Sequence, residues 1–307
     1  MKSIIVEVKP AKPLFITTGT SQHMDEHWNG VPELPHSTGV EEWVRVSGGV
    51  SLRVLLWKPN DQSLKGLEPV VVVPGWGSVF EGWRPLITEW VTRRPIIYIE
   101  TREKASAVFD NPKQSVRDFT IEKFSNDLVE VIHFYKLGSG FDLFSSSLGS
   151  TILIDALHHN IITARSSVFV APNQNFKPPF FSRMMVKMPF PNFTLNGLVK
   201  LAIWAIERKV KEEGQRIRYR RTLLSQDAVR TRLSARSLIH YELPKNLSKI
   251  SVPCGIISAK SDKLHGLENV KSIVERIPGA QMIEVPSNQY AHEAAVLVEI
   301  EAFHNSI

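Results

Sequence analysis

The alternation of apolar and polar positions predicts two kinds of strand along this chain. Residues 40–46 and 50–57 alternate around Ser47-Gly48-Gly49, which is typical of an antiparallel hairpin. Other runs are apolar without alternation, which indicates strands buried on both faces of a sheet. These runs cover 69–74, 95–100, 141–144, 166–171, 252–258 and 281–285.

Segments with apolar residues at helical spacing separate most of these runs. We expect helices over 83–92, 115–137, 148–158, 195–213, 267–276 and 291–303. A hairpin followed by repeated strand and helix units predicts an α/β fold, with a mostly parallel sheet of about eight strands and helices on both faces.

The expected domain organisation is one α/β core with two additions. Residues 41–172 and 246–307 form the core, and residues 1–40 precede it as an N-terminal arm. Residues 173–245 contain no run typical of a buried strand, so we expect them to form a helical cap, or lid, over one edge of the sheet.

The arm contains one pattern that resembles a metal site. His23-Met-Asp-Glu-His27 has the letters of an inverted zinc-protease motif, which requires a long helix to place both His side chains on one face. Asn29-Gly30 and Pro32 follow at once and would end that helix. We therefore expect no metal site in this chain.

Length and composition narrow the class of protein. A chain of 307 residues can bury a large core, and its apolar and charged fractions of 43% and 22% are ordinary for a globular protein. The single Cys254 excludes an intrachain disulfide and fits a reducing compartment. We find no apolar run of the ~18 residues that a membrane span needs, and no signal peptide. Cytoplasmic localisation is the expectation.

The net charge of +6 is concentrated in one segment. Residues 207–236 hold eight Arg and two Lys against three Glu and one Asp, an excess that equals the charge of the whole chain. Such a segment can contact nucleic acid, an anionic membrane surface or an anionic substrate. A solvated helix face is the simpler interpretation, so we expect no nucleic acid partner, and peripheral membrane contact is the weaker hypothesis.

The stretch from Phe141 to Ser150 carries the first candidate for chemistry. It passes from an apolar run into a helical pattern through small residues, as in the G-x-S-x-G corner that presents a nucleophilic serine. Ser147 takes the central position, Ser145 stands where the pattern has its first glycine, and Gly149 supplies the second. Three adjacent serines are also common in polar loops, and Ser145 or Ser146 would replace Ser147 if the corner were displaced.

An acid and a base follow in the order expected of a Ser, Asp, His triad. Asp262 comes just after the 252–258 strand, and His292 comes after the 281–285 strand. A serine hydroxyl needs an imidazole to accept its proton and a carboxylate to orient that imidazole. The alternatives are a helix N-cap role for Asp262 and a surface position at a helix start for His292.

A glycine-rich turn supplies a candidate oxyanion hole. Pro74-Gly75-Trp76-Gly77-Ser78 follows a buried strand directly, and its glycines allow close approach of backbone to a ligand. The backbone N–H groups of Trp76 and Leu148 are the expected donors to the developing oxyanion.

These motifs resemble those of the α/β-hydrolase superfamily, in the branch with a helical cap between the sixth and seventh core strands. The resemblance covers about residues 41–307 and rests on four motifs: Pro74–Ser78 with Trp83 downstream, Ser145–Ser150, Lys260-Ser-Asp262 and Tyr290-Ala-His292.

Two departures from the family pattern prevent assignment to a subfamily. His-Gly is frequent where this chain has Pro74-Gly75. A turn with two glycines is frequent where this chain has Glu100–Ser106, which keeps Arg102 and Ser106 but neither glycine. Both departures leave the triad positions intact.

The resemblance implies a serine hydrolase for an ester, thioester or related acyl bond, with no cofactor. Ser147 would attack the carbonyl, His292 would transfer the proton and Asp262 would orient His292. An acyltransferase and a non-catalytic binding protein on the same fold stay open.

The cap is expected to bind the substrate. Phe181, Met184 and Met188 are candidates for an apolar pocket that receives an acyl group, with ordinary packing as the alternative. The expected partner is thus a small, apolar acyl substrate, whose identity the sequence does not give.

Overall fold

The computed structural model describes residues 27–176, 194–210, 212–259 and 267–307. The strands of this part of the chain are β1 (Ser37–Val46), β2 (Val50–Pro59), β3 (Val70–Val73), β4 (Ile96–Ile99), β5 (Val108–Phe109), β6 (Asp142–Ser146), β7 (Ser166–Val170), β8 (Cys254–Ala259) and β9 (Gln281–Val285). Its α-helices are α1 (Arg84–Trp90), α2 (Ile121–Phe134), α3 (Leu148–His158), α4 (Leu195–Lys209), α5 (Glu213–Ser225), α6 (Ala228–Leu238), α7 (Leu267–Arg276) and α8 (Leu297–His304).

All nine strands belong to one mixed sheet. Its order is β1-β2-β4-β3-β6-β7-β8-β9, and β5 pairs with β2. The hairpin of β1 and β2 is antiparallel and β2 is antiparallel to β4, whereas every pair from β4 to β9 is parallel. The predicted mostly parallel sheet is confirmed.

Helices cover both faces of the sheet, as the unbroken apolar strands predicted. All four valines of β3 are buried, which requires cover on each side. One core cluster packs α2, α3 and α7 on one face, and a second packs α1 and α8 on the other. The carboxyl ends of the parallel strands lie along one edge of the sheet, where loops from several strands meet.

Some expected boundaries were wrong. The helix expected over 195–213 ends at Lys209. The basic stretch after it is helical, as expected for the segment 173–245, and forms α5 and α6. The helix expected over 291–303 begins at Leu297. The extended Glu293 (φ −98°, ψ 160°) separates a 3₁₀ turn at Tyr290–His292 from a second one at Ala294–Val296, which precedes the helix directly. The two-residue strand β5 was not predicted.

Residues 27–36 of the expected arm pack against the core. The indole of Trp28 is buried and donates a 2.7 Å hydrogen bond to the carbonyl of Ser225 at the end of α5. The Trp57 indole on β2 donates to the carbonyl of Pro32 at 3.0 Å. This part of the arm therefore joins the sheet to the helices that follow β7. Residues 23–26 of the zinc-protease-like pattern lie outside the described residues.

Candidate active site

Ser147 occupies a strained corner between β6 and α3. Its backbone lies at φ 47° and ψ −111°, a left-handed value that costs a side-chain-bearing residue about 1–3 kcal/mol. Two hydrogen bonds hold the corner: Ser147 N–H donates to the carbonyl of Val170 at 2.8 Å, and Thr151 N–H donates to the carbonyl of Ser147 at 3.1 Å. The strain is therefore stabilised by β7 on one side and by the first turn of α3 on the other.

The small residues around Ser147 are required by close packing. A Cβ added to Gly149 would lie 2.1 Å from the carbonyl oxygen of Val73, so α3 can approach β3 only with glycine there. Ser145, where the pattern has glycine, is buried and donates a 3.0 Å hydrogen bond to the hydroxyl of Ser150. A serine is tolerated at that position because its hydroxyl finds a partner on the helix.

Asn173 contacts the candidate nucleophile, although it was not among the predicted site residues. Its amide Nδ2 donates a 2.9 Å hydrogen bond to Ser147 Oγ. Thr151 fixes the Asn173 backbone, because the Thr151 hydroxyl donates to its carbonyl at 2.9 Å and accepts from its N–H at 3.3 Å. One signal was present: Asn173 follows the buried strand β7 closely, at the edge where parallel sheets place functional groups.

His292 reaches the same edge from a 3₁₀ turn after β9. Its ring lies on the indole of Trp83, with centroids 3.9 Å apart, and Trp83 contacts Phe144 of β6 edge to face. The Nδ1 atom lies 3.2 Å from the carbonyl oxygen of Gly82. A carbonyl only accepts, so this hydrogen bond requires the proton on Nδ1 and makes Nε2 the basic nitrogen of the ring.

The backbone of Gly75 to Ser78, here named the oxyanion loop, lies against the corner. A Cβ added to Gly75 would stand 3.3 Å from both Ser147 Cβ and Ser146 Oγ, in tight contact. Leu148 is the first residue of α3, so its N–H has no acceptor within the helix. The structure thus brings both expected donor segments, at Trp76 and Leu148, to Ser147.

Helices α5 and α6 cover the oxyanion loop from outside. The Trp76 indole Nε1 donates a 3.0 Å hydrogen bond to Ser234 Oγ on α6. Gln226, between the two helices, donates its amide to the carbonyl of Gly77. The helical segment between β7 and β8 is therefore attached to the loop through polar contacts.

The turn after β4 is buried, which its charged sequence did not suggest. Glu100 is fully buried and pairs with Arg53 at 2.8 Å. Burial raises the pKa of Glu100, although the charge of Arg53 opposes that rise. Arg102 forms a bidentate ion pair with Asp127 of α2.

Several predicted site residues lie outside the described residues. They are Asp262, Phe181, Met184 and Met188. Within the described ranges, no group of three or more His, Cys, Asp or Glu side chains is placed to hold a metal ion. In the same ranges, no helix combines the length and the apolar character that a membrane span requires.

Comparison with known proteins identifies the fold. No protein-family model matches this chain, and no curated protein matches it in sequence. Solved structures match well: the enol-lactonase from Burkholderia xenovorans has a TM-score of 0.66 at 13% identity, over 86% of this chain and 97% of that one. An esterase from Exiguobacterium antarcticum has a TM-score of 0.63 at 16% identity, over 87% of this chain and 97% of that one. A thermophilic esterase from Thermogutta terrifontis has a TM-score of 0.64 at 16% identity, over 88% of this chain and 98% of that one. The chain has the α/β-hydrolase fold.

Proposed function

We propose that this protein is a serine hydrolase that cleaves an ester, thioester or related acyl bond through an acyl-enzyme. The observation that carries the proposal is the backbone of Ser147, a non-glycine residue at φ 47° between a buried strand and a helix. A strained conformation of this kind persists where surrounding structure enforces it, and such positions cluster at active sites. The lactonase and the esterases that share the fold support the same class of reaction.

The reaction would proceed in two halves. Ser147 Oγ attacks the acyl carbon while His292 Nε2 takes the hydroxyl proton, and the carbonyl oxygen becomes an oxyanion. The N–H groups of Trp76 and Leu148 stabilise that oxyanion. As the intermediate collapses, the bond to the leaving oxygen or sulfur breaks, and His292 returns the proton to it. Water then attacks the acyl-enzyme with His292 as base, releasing the acid and Ser147.

Three further groups would support the histidine and the serine. Asp262 is the proposed carboxylate that orients His292, and the Gly82 carbonyl holds the same Nδ1 atom. Asn173 donates to Ser147 Oγ, so its hydrogen bond strengthens as negative charge grows on that oxygen. The Ser147 hydroxyl proton is not used in this bond and is the proton that His292 would receive.

The segment 173–245 would act as the cap that selects the substrate. Its helices α5 and α6 already cover the oxyanion loop through Gln226 and Ser234. We propose an acyl group that is mainly apolar, bound near Phe181, Met184 and Met188.

Hydrolysis of a series of p-nitrophenyl esters from two to sixteen carbons, with thioesters alongside, tests the proposal. We expect turnover with at least one chain length, and a loss of about 10⁴-fold or more in kcat for Ser147→Ala. Ser146→Ala is the matched control, because it removes a neighbouring hydroxyl, and it should retain turnover.

Three results would redirect the assignment. Equal turnover by Ser147→Ala and the parent protein would remove Ser147 from the mechanism. Transfer of the acyl group to added alcohols or amines in preference to water would indicate an acyltransferase. An absence of any acyl-enzyme would favour a binding protein.

A further inference from the structure

Two opposite charges are buried side by side in the turn after β4. The Lys104 side chain has no exposed surface and that of Glu103 is 1% exposed. Burying an ionised group costs several kcal/mol unless partners replace its water. The partners of this pair therefore indicate why the charges are retained in the core.

Lys104 uses all three of its ammonium donors, and one of them reaches the oxyanion loop. Its Nζ donates to Thr101 Oγ1 at 2.7 Å, to Glu103 Oε1 at 3.0 Å and to the carbonyl oxygen of Gly75 at 3.2 Å. The ammonium is thus fully satisfied by one side of the turn and by the backbone that precedes Trp76.

Glu103 holds the oxyanion loop at a second point. Its Oε1 accepts a hydrogen bond from the N–H of Gly77 at 3.3 Å, as well as those from Thr101 and Lys104. The pair therefore holds the loop at Gly75 and at Gly77, the residues on each side of Trp76.

This arrangement sets the direction of the Trp76 N–H. The described chain contains no cis peptide, and in a trans peptide the N–H points opposite to the carbonyl of the same plane. The Gly75 carbonyl accepts from Lys104 Nζ at 3.2 Å and from the N–H of Ser78 at 3.0 Å, so the Trp76 N–H points away from the buried pair. Gly75 itself lies against Ser147, so the peptide in question is adjacent to the nucleophile.

We propose that Glu103 and Lys104 are positioning residues that aim the Trp76 N–H as an oxyanion donor. This inference rests on the proposed function, since it assigns a role within the same site. It gives a reason for the two charges that are buried in this turn.

A second contact closes the turn from the cap side. Arg230 of α6 donates to the carbonyl oxygens of Lys104 and Ala107 at 3.0 and 2.7 Å. The turn is therefore enclosed between the oxyanion loop and α6, and a change in the pair should be transmitted to the loop.

Lys104→Met tests the role, because methionine has a similar length without charge or donors. We expect kcat to fall about 10–100-fold with KM changed less than about threefold, since a misaimed donor affects the transition state alone. Affinity for a trifluoromethyl ketone, which forms a tetrahedral oxyanion on serine, should fall by a similar factor. Affinity for the carboxylic acid product should not change.

Arg102→Met is the matched control, because Arg102 is a buried cation of the same turn whose partner is Asp127 on α2. It should lower the melting temperature and leave kcat unchanged at temperatures where the variant is folded. Glu103→Gln keeps the shape of the side chain, and it is the alternative test of the positioning role if Lys104→Met does not fold. It should lower kcat in the same direction by a smaller factor.

Unchanged kcat and unchanged inhibitor affinity in a folded Lys104→Met or Glu103→Gln variant would overturn the positioning role. A crystal structure of Lys104→Met separates this result from failure of the proposed function. A rotated Gly75-Trp76 peptide supports positioning even if the parent protein shows no esterase activity. An unrotated peptide contradicts positioning even if the esterase activity is real.

Discussion

Each end of the parallel sheet buries a carboxylate, and the two carboxylates differ in their partners. At the amino end, Asp142 accepts hydrogen bonds from the side chains of Arg94, Arg165 and Ser166. At the carboxyl end, Glu103 accepts from the backbone N–H of Gly77 as well as from side chains. The first arrangement ties elements of the fold together, whereas the second holds a loop next to Ser147 that Ser234 and Gln226 contact from the other side.

The comparison leads to a general expectation for this molecule. Changes to groups that contact Ser147, His292 or the oxyanion loop at the carboxyl end should alter turnover more than stability, and changes at the amino end should alter stability with turnover preserved. Four substitutions test this expectation, beginning with the one that should affect turnover most.

His292→Gln should lower kcat by about 10⁴-fold or more, because no other group in the mechanism accepts the Ser147 proton. Steady-state kinetics with the best ester measures the loss. His304→Gln is the matched control at the amino end, where His304 Nε2 lies 3.1 Å from Ser166 Oγ. A similar loss in both variants would contradict the division between the two ends.

Asp262→Asn should lower kcat by about 10²–10⁴-fold, less than His292→Gln does. The Gly82 carbonyl holds Nδ1 in the same tautomer, so the loss of the carboxylate leaves part of the orientation in place. The ratio of the two losses under identical conditions is the measurement. An Asp262→Asn variant with full activity would assign Asp262 to a structural role.

Asn173→Ala should lower kcat by about 10–100-fold, because one donor to the reacting oxygen is lost. Thr151→Val, which removes the hydroxyl that holds the Asn173 backbone, should have a smaller effect in the same direction. Single-turnover acylation rates report this step directly. An increase in KM alone, with kcat unchanged, would place Asn173 in substrate binding instead.

Asp142→Asn should leave kcat unchanged and lower the free energy of unfolding by about 2–3 kcal/mol at neutral pH. Burial tends to raise the pKa of Asp142, but hydrogen bonds from Arg165 and Ser166 and the charge of Arg94 outweigh it and hold the pKa below its usual value. Its stabilising contribution is therefore present above about pH 4 and is lost as the pH falls through the lowered pKa.

Urea unfolding of both proteins between pH 2 and 7 measures this contribution, and the difference between them should shrink at the acid end. A difference that stays constant with pH, or a loss of turnover in the folded variant, would contradict the structural role of Asp142.

Much of the fold could be predicted because its signals are local. The valines of β3 and the residues of β4, β6, β7 and β8 are buried on both faces of the sheet. A run of consecutive apolar residues therefore predicts each of these strands. The corner at Ser147 was predictable for a related reason. Its small neighbours, above all Gly149, are required by contacts with β3 that exclude larger side chains.

The rest could not be predicted because it depends on contacts between distant segments. Glu103 and Lys104 are charged residues in a turn, which usually indicates exposure, and only the oxyanion loop reveals why they are buried. The bond from Asn173 to Ser147 and the contact of His292 with Gly82 have no local signature. The predicted start of the last helix was wrong because the extended backbone of Glu293 interrupts an otherwise helical pattern.

Covalent labelling of the protein by a fluorophosphonate, followed by intact mass and peptide mass spectrometry, tests the central claim most directly. A single adduct should form on Ser147, should persist in the Ser146→Ala variant and should be absent from the Ser147→Ala variant. Its rate should fall in the Lys104→Met variant and stay unchanged in the Arg102→Met variant. An unlabelled parent protein, or an adduct that survives in Ser147→Ala, would contradict the assignment of Ser147 as the nucleophile.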